Sequence, residues 1–188
     1  MSASIKPTAL ILVDVMNSFF LEGMPNHYPA AAEVLEPLRR LLAAARASNR
    51  IVVHAIEQHY PEFDDYEFAK LPRHHMKGAV DAEFFADFRP SGAREIITRK
   101  RRFSAFFATD LALFLNEQQV RRVIIAGVKT NVCIRASAQD AFANGFEVVV
   151  PREATNSNRP HLAEASLEDI DRYIGSVVPL AAALDMLA

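Results

Sequence analysis

The stretch Arg121–Val150, RRVIIAGVKTNVCIRASAQDAFANGFEVVV, contains the repeating unit of an α/β protein. Residues 120–126 are mostly apolar and β-branched, which predicts a strand. A helix is predicted over Asn131–Asn144, and Gly145 is placed to end it in the left-handed conformation. Phe146–Val150 then predicts a second strand. A strand, a helix and a strand in this order form a crossover that joins parallel strands.

The same alternation extends in both directions from this unit. Further strands are predicted at Thr8–Asp14, Arg50–Glu57, Arg94–Thr98 and Ser176–Val178, and further helices at Pro29–Asn49, Asp110–Gln119, Leu162–Ile174 and Leu180–Leu187. This pattern predicts an α/β fold of three α/β/α layers, with a mostly parallel, doubly wound central sheet. No repeat or linker interrupts it, so we expect one domain over residues 1–188.

Composition narrows the possible partners. The net charge of -2 lacks the clustered basic excess of a nucleic-acid-binding protein. No apolar run approaches the roughly 18–20 residues that span a bilayer, so we expect no membrane partner. The single cysteine excludes a disulfide within the chain and fits a reducing compartment. We therefore expect a cytoplasmic protein.

Three reactive residues end or follow predicted strands. They are Asp14, Lys100 and Cys133. In a doubly wound fold, ligands bind outside the carboxyl ends of the strands, so these side chains are expected to meet at one edge of the sheet. A thiol at a helix start, with a lysine ammonium nearby, is favoured as the nucleophilic thiolate. A partly buried carboxylate can act as a general acid and base.

Each of these residues also has a simpler explanation. A lone cysteine in an apolar segment is usually a small buried hydrophobic residue. An acid at the end of a strand often caps a neighbouring turn. Lys100 could be a solvated member of the basic run at residues 99–102.

Three segments carry a resemblance to a known family. Residues 121–150 combine an apolar strand, the motif Gly-Val-x-Thr-Asn-x-Cys, a helix and a Gly-aromatic step. Residues 100–115, KRRFSAFFATDLALFL, and residues 9–19, ALILVDVMNSF, match two further family segments in the expected order. On these motifs, which extend over nearly the whole chain, it resembles the cysteine hydrolase (amidohydrolase) branch of the isochorismatase-like superfamily.

The resemblance implies hydrolysis of a C–N bond in a small amide or N-carbamoyl (ureido) compound. By the family pattern, Cys133 is the nucleophile that forms a thioester, Lys100 stabilises its thiolate and Asp14 moves the proton. The pattern also implies a cis peptide bond between Val128 and Lys129, and an oxyanion bound by the N–H groups of Lys129 and Cys133. Homo-oligomers are common in this family, so we expect one here.

Several side chains near these motifs are candidates for binding the substrate. They are Asn17, Phe19, Phe20, Arg102 and Phe103. The aromatic rings could line an apolar pocket, with core packing as the alternative. Arg102 could bind a substrate carboxylate through two hydrogen bonds, although a surface arginine is the more common case. Asn17 and Phe19 keep the family's residue types, whereas positions 16 and 18 depart from its glutamine and aspartate.

A metal site is the main open alternative. Nicotinamidases of the superfamily hold a metal through an Asp-x-His pair and a later histidine. The nearest match here is Glu57-Gln58-His59 with His74 or His75, which could bind zinc in principle. The carboxylate type and the later spacing differ, so we expect a site without metal or cofactor. A non-catalytic interaction subunit of the same fold is a further alternative.

Overall fold

The computed structural model describes residues 6–188, and its core is a seven-stranded sheet. The strands are β1 (Thr8–Val13), β2 (Ile51–Glu57), β3 (Glu95–Lys100), β4 (Arg122–Val128), β5 (Glu147–Pro151), β6 (Thr155–Asn156) and β7 (Ser176–Val178). Their order is β3-β2-β1-β4-β5-β7, with β6 paired to β4, and every pairing is parallel. The chain builds outward from β1 to β3 and then crosses back to β4. The switch point therefore lies between β1 and β4.

Helices cover both faces of the sheet. They are α1 (Asn17–Phe20), α2 (Leu35–Ala47), α3 (Leu111–Glu117), α4 (Arg135–Ala143), α5 (Pro160–Asp169) and α6 (Leu180–Leu187). Ile11 of β1 packs with residues of α3, α4 and α5, and Leu12 packs with residues of α2 and α6. Both faces of β1 are buried, which explains its continuous apolar run. The predicted α/β/α class with a doubly wound sheet is confirmed.

The ends of several elements differ from the predictions. The predicted helix over residues 29–49 begins as a 3-10 turn, Pro29–Val34, before α2. Five-residue π turns, Thr130–Ile134 and Ile170–Ile174, precede α4 and follow α5. The predicted strand 94–98 continues to residue 100, so Lys100 closes β3 instead of following it. Among the described residues, no helix combines the length and apolar character needed to span a membrane.

Gly127 lies where β4 runs beside β1, and it cannot carry a side chain. A Cβ atom there would lie 2.1 Å from the Val13 carbonyl oxygen, and its φ is +124°. We expect Gly127→Ala to lower the free energy of unfolding by about 3 kcal/mol or more, because close contact and backbone strain add. The measurement is a urea unfolding curve. Gly23→Ala is the control, since Gly23 also has positive φ but open space around it. Equal midpoints for the two variants would contradict the expectation.

Candidate active site

Asp14, Lys100 and Cys133 meet at the carboxyl edge of the sheet. Asp14 follows β1 with φ +53°, and Cys133 lies in the π turn after β4. The Lys100 Nζ atom lies 2.8 Å from Asp14 Oδ2 and 3.7 Å from Cys133 Sγ. All three residues are buried, and Lys100 is wholly so. Lys100 is therefore not a solvated member of the basic run.

The registers of the central strands explain why Asp14, Lys100 and Cys133 lie close together. Val13 pairs with Gly127, so residues just past β1 and β4 are neighbours. Glu57, the last residue of β2, pairs with Lys100 at the end of β3. The Glu57 amide donates to Asp14 Oδ1 at 2.9 Å and thereby holds the carboxylate in place. Because the carboxyl ends of these parallel strands lie side by side at one edge of the sheet, the side chains there come close together.

Lys100 is held as a cation by the acids around it. Burial alone would lower its pKa, but the charges of Asp14, Cys133 and Glu57 outweigh burial and raise it. Its ammonium also lies 3.1 Å from Glu57 Oε2. The sequence indicated Glu57 only as a metal ligand, and its pairing with Lys100 was missed because strand register is not visible in a single sequence.

Cys133 is less acidic than its position at a helix start suggests. Burial raises the pKa of the thiol well above its usual value; Lys100 lowers it, and the charges of Asp14 and Glu57 raise it further. The sum of these effects favours the thiol form of the resting sulfur over the thiolate. The sequence argument for a thiolate considered the helix start and the lysine, and the structure adds burial and these two acids.

The segment between β4 and the cysteine has the geometry that the sequence motif implied. The peptide bond between Val128 and Lys129 is cis. The hydroxyl groups of Thr130 and Thr155 lie 2.8 Å apart and join the turn to β6. Cys133 lies in the first turn of the helical segment, and the amides on either side of it, those of Val132 and Ile134, donate to the Lys129 carbonyl.

A cavity of about 270 Å³ opens at the thiol. Its lining residues are Phe19, Asn26, Glu57, Leu71, His74, His75, Phe103, Lys129, Val132 and Cys133. Apolar side chains therefore form much of the wall, with a few polar groups among them. A cavity of this size and lining suits a small organic molecule with one or two polar groups.

The structure brings only two of the five candidate substrate-binding residues, Phe19 and Phe103, to this cavity. Phe20 packs on Phe85, with ring centroids 5.3 Å apart. The side-chain amide of Asn17 donates to the Val80 carbonyl.

Arg102 instead lines a neighbouring cavity of about 420 Å³. Its guanidinium donates to Asp65 and to the Tyr66 hydroxyl, with its Nη2 atom 3.0 Å from Asp65 Oδ1. An arginine bound to a buried acid in this way has little attraction left for a substrate carboxylate.

Four side chains, two of which line the thiol cavity, form a candidate metal site. They are Glu57, His59, Glu67 and His74, and they offer ligand atoms that all lie within 4.8 Å of one another. The Nε2 atoms of His59 and His74 each lie 3.1 Å from Glu57 Oε1. Their Nδ1 atoms contact Asp65 Oδ2 and the Pro72 carbonyl, which is how metal-binding histidines are usually oriented.

Glu67 gives independent support for a cation at this place. Both of its carboxylate oxygens are buried and, among the described residues, neither has a hydrogen-bond partner. Burial and the charge of Glu57 raise the pKa of its carboxyl group. The donor set of two imidazoles and two carboxylates fits zinc. Glu67 lies in a single 3-10 turn, Tyr66–Ala69, and belongs to no spacing motif, so no sequence pattern pointed to it.

Comparison with known proteins identifies the family. The isochorismatase domain model matches residues 8–182. The chain is 36% identical to maleamate amidohydrolase of Pseudomonas putida over 184 residues, which cover 95% of this chain and 86% of that protein.

Two solved structures have the same fold as this chain. An isochorismatase-like hydrolase from Alkaliphilus metalliredigens superposes with a TM-score of 0.89 at 29% identity, over 96% of this chain and 99% of the other. The pyrazinamidase of Pyrococcus horikoshii in complex with zinc superposes with a TM-score of 0.83 at 28% identity, over 92% of this chain and 99% of the other. The predicted superfamily is thus confirmed, and the chain belongs to the isochorismatase family.

Proposed function

We propose that this protein hydrolyses a C–N bond of a small amide or N-carbamoyl compound through a thioester on Cys133. The observation that carries the proposal is the contact of Cys133 with Lys100, which also pairs with Asp14, at a small cavity. Its similarity to maleamate amidohydrolase supports the same class of reaction.

In the first half-reaction, Asp14 accepts the thiol proton as the Cys133 sulfur attacks the substrate carbonyl carbon. The N–H groups of Lys129 and Cys133 donate hydrogen bonds to the oxyanion that forms. The C–N bond then breaks, and Asp14 returns the proton to the departing nitrogen. The products of this half are a thioester and ammonia or an amine.

In the second half-reaction, Asp14 takes a proton from water, and the resulting hydroxide attacks the thioester carbonyl. The C–S bond breaks, the carboxylic acid leaves, and the proton returns to the sulfur. Lys100 keeps its charge throughout because its pKa is raised. Its ammonium stabilises whichever of the two groups, the Asp14 carboxylate or the Cys133 thiolate, is negative at each stage.

An ammonia-release screen tests this function. The panel contains maleamate, nicotinamide, ureidoacrylate and N-carbamoyl amino acids, each incubated with the wild-type protein and with Cys133→Ser. We expect release above the blank for at least one compound. Intact-mass spectrometry of quenched reactions should show an acyl adduct on the wild type alone. Ammonia release that persists unchanged in Cys133→Ser would refute the proposed nucleophile.

A second function, that of a metal-dependent amidase of the nicotinamidase type, is favoured by the donor set described above. In that case Glu57, His59, Glu67 and His74 would hold the ion. A bound zinc ion supplies a Lewis acid that can polarise or orient a substrate.

A zinc-retention experiment tests the metal site apart from activity. We expect protein loaded with zinc and then dialysed to retain about one equivalent per chain, measured by atomic emission. His59→Ala should lose the metal, because it removes a ligand. Zinc should then no longer raise the unfolding temperature, as it is expected to do for the wild type. His161→Ala, an exposed histidine of α5, is the control and should retain zinc. Equal zinc content in the two variants would count against this site.

We further propose a cytoplasmic homo-oligomer. Exposed aromatic side chains lie in the irregular 60–80 region and just after β3, and aromatic residues are enriched at interfaces. They are Tyr60, Phe63, Tyr66, Phe103 and Phe107. This region would then border the pocket of a neighbouring subunit. Sedimentation analysis of the wild type and of Phe63→Ser compares the assembly states.

A further inference from the structure

Lys129 has a side chain that the proposed mechanism does not use. The mechanism takes only its backbone N–H, yet its ammonium lies 5.6 Å from the ring centroids of both Phe19 and Tyr28. The side chain is partly buried at the thiol cavity. We propose that this ammonium binds a carboxylate of the substrate, so that the substrate is a short amide or N-carbamoyl compound whose far end carries a carboxylate. This inference rests on the proposed function.

The first argument is that the ammonium has no counter-ion. Among residues 6–188, Lys129 forms no salt bridge, whereas Lys100 has two carboxylates within 3.1 Å. Two aromatic rings attract a cation but replace its hydration only in part. Burial accordingly lowers the pKa of Lys129. A cation that is partly removed from water beside a cavity is stabilised when an anion enters.

The second argument is the charge of the other side chains in and behind the wall of the thiol cavity. Lys129 is the only lysine or arginine among the residues that line the cavity, and Glu57 lines it with a negative charge. Asp14 adds another carboxylate just behind the thiol. Lys100 lies within 3.1 Å of both acids and offsets one of their two charges, so a substrate carboxylate needs a further cation at the wall of the cavity. Arg102 cannot serve, because it lies in the neighbouring cavity against Asp65.

The third argument is the position of Lys129 relative to the reacting carbonyl. Its backbone lies four residues before Cys133, at the start of the turn that carries the thiol. One residue would thus contact both ends of the substrate, the amide oxygen through its N–H and the carboxylate through its Nζ. Apolar residues of the wall, including Phe103 and Val132, suit the carbon chain between the two ends.

The test compares an anionic substrate with its neutral counterpart. Succinamate and succinamide differ only in whether the far end is a carboxylate or an amide. We expect the wild type to have the higher kcat/KM for succinamate, and Lys129→Met to lower the succinamate-to-succinamide ratio by about 10- to 100-fold, the value of one charged hydrogen bond. Lys129→Arg should keep more of the preference than Lys129→Met. Lys77→Met, at an exposed lysine of the neighbouring cavity, should leave the ratio unchanged.

A binding measurement separates this inference from the proposed function. Succinamate is titrated calorimetrically into Cys133→Ala and into Cys133→Ala with Lys129→Met, neither of which can form a thioester. Weaker binding to the double variant by about tenfold or more supports the carboxylate site even if the wild type hydrolyses nothing in the panel. Equal binding, or an unchanged ratio in Lys129→Met while the wild type hydrolyses both compounds, overturns the inference and leaves the hydrolase proposal standing.

Discussion

Asp14→Asn is expected to stop amide hydrolysis while making Cys133 easier to alkylate. The amide side chain cannot accept the thiol proton, so kcat/KM should fall by about 10²- to 10⁴-fold. The same change removes a negative charge that raises the pKa of the thiol, while the Lys100 cation stays. The thiolate therefore forms at a lower pH. Catalysis and thiol reactivity should change in opposite directions.

The measurement is the rate of iodoacetamide alkylation from pH 6 to pH 10, followed by intact mass. The midpoint for Asp14→Asn should lie below that of the wild type. Asp185→Asn, at an exposed acid of α6, is the control and should match the wild type in both assays. A midpoint that rises or stays in place, or hydrolysis that survives, would show that Asp14 does not act on the sulfur.

Among the substitutions at the active site, Lys100→Met is expected to lower the free energy of unfolding the most. It leaves Asp14 and Glu57 buried without the cation that lies within 3.1 Å of both. Breaking a buried pair in this way costs about 3–5 kcal/mol, because the remaining charges have lost their solvation and their partner. The thiol should also become less acidic, and hydrolysis should be lost. Urea unfolding gives the stability, and Lys70→Met, at an exposed lysine, is the control.

A double variant keeps this prediction testable if Lys100→Met folds poorly. Combining it with Asp14→Asn removes one of the two stranded charges, so the double variant should unfold at higher urea than Lys100→Met alone. Simple loss of packing would instead make the double variant less stable than either single one. A Lys100→Met midpoint equal to that of Lys70→Met would contradict the buried-pair argument.

The sequence predicted the parts of the structure that depend on local pattern. Continuous apolar runs located β1 and β4, and Gly145 marked the end of α4. The rule that ligands meet at the carboxyl ends of parallel strands placed Asp14, Lys100 and Cys133 together, as the structure has them. Their catalytic roles stay predictions until the variants are measured.

The sequence did not predict what depends on contacts between distant segments. The two-residue strand β6 is too short to show a pattern, and it exists because it pairs with β4. Arg102 was a candidate for the substrate, but Asp65 from another loop binds it. The sequence also did not show the burial of Cys133 or the positions of Asp14 and Glu57, all of which raise the pKa of its thiol.

The raised pKa of the Cys133 thiol also affects how the protein withstands oxidation. Peroxides attack thiolates far faster than thiols, so a sulfur that ionises only as the substrate arrives is protected from overoxidation between turnovers. With no second cysteine in the chain, a sulfenic acid formed there would have no intramolecular thiol to rescue it. Burial and the two acids, which raise the pKa of this thiol, thus also protect the single cysteine of the chain from oxidation.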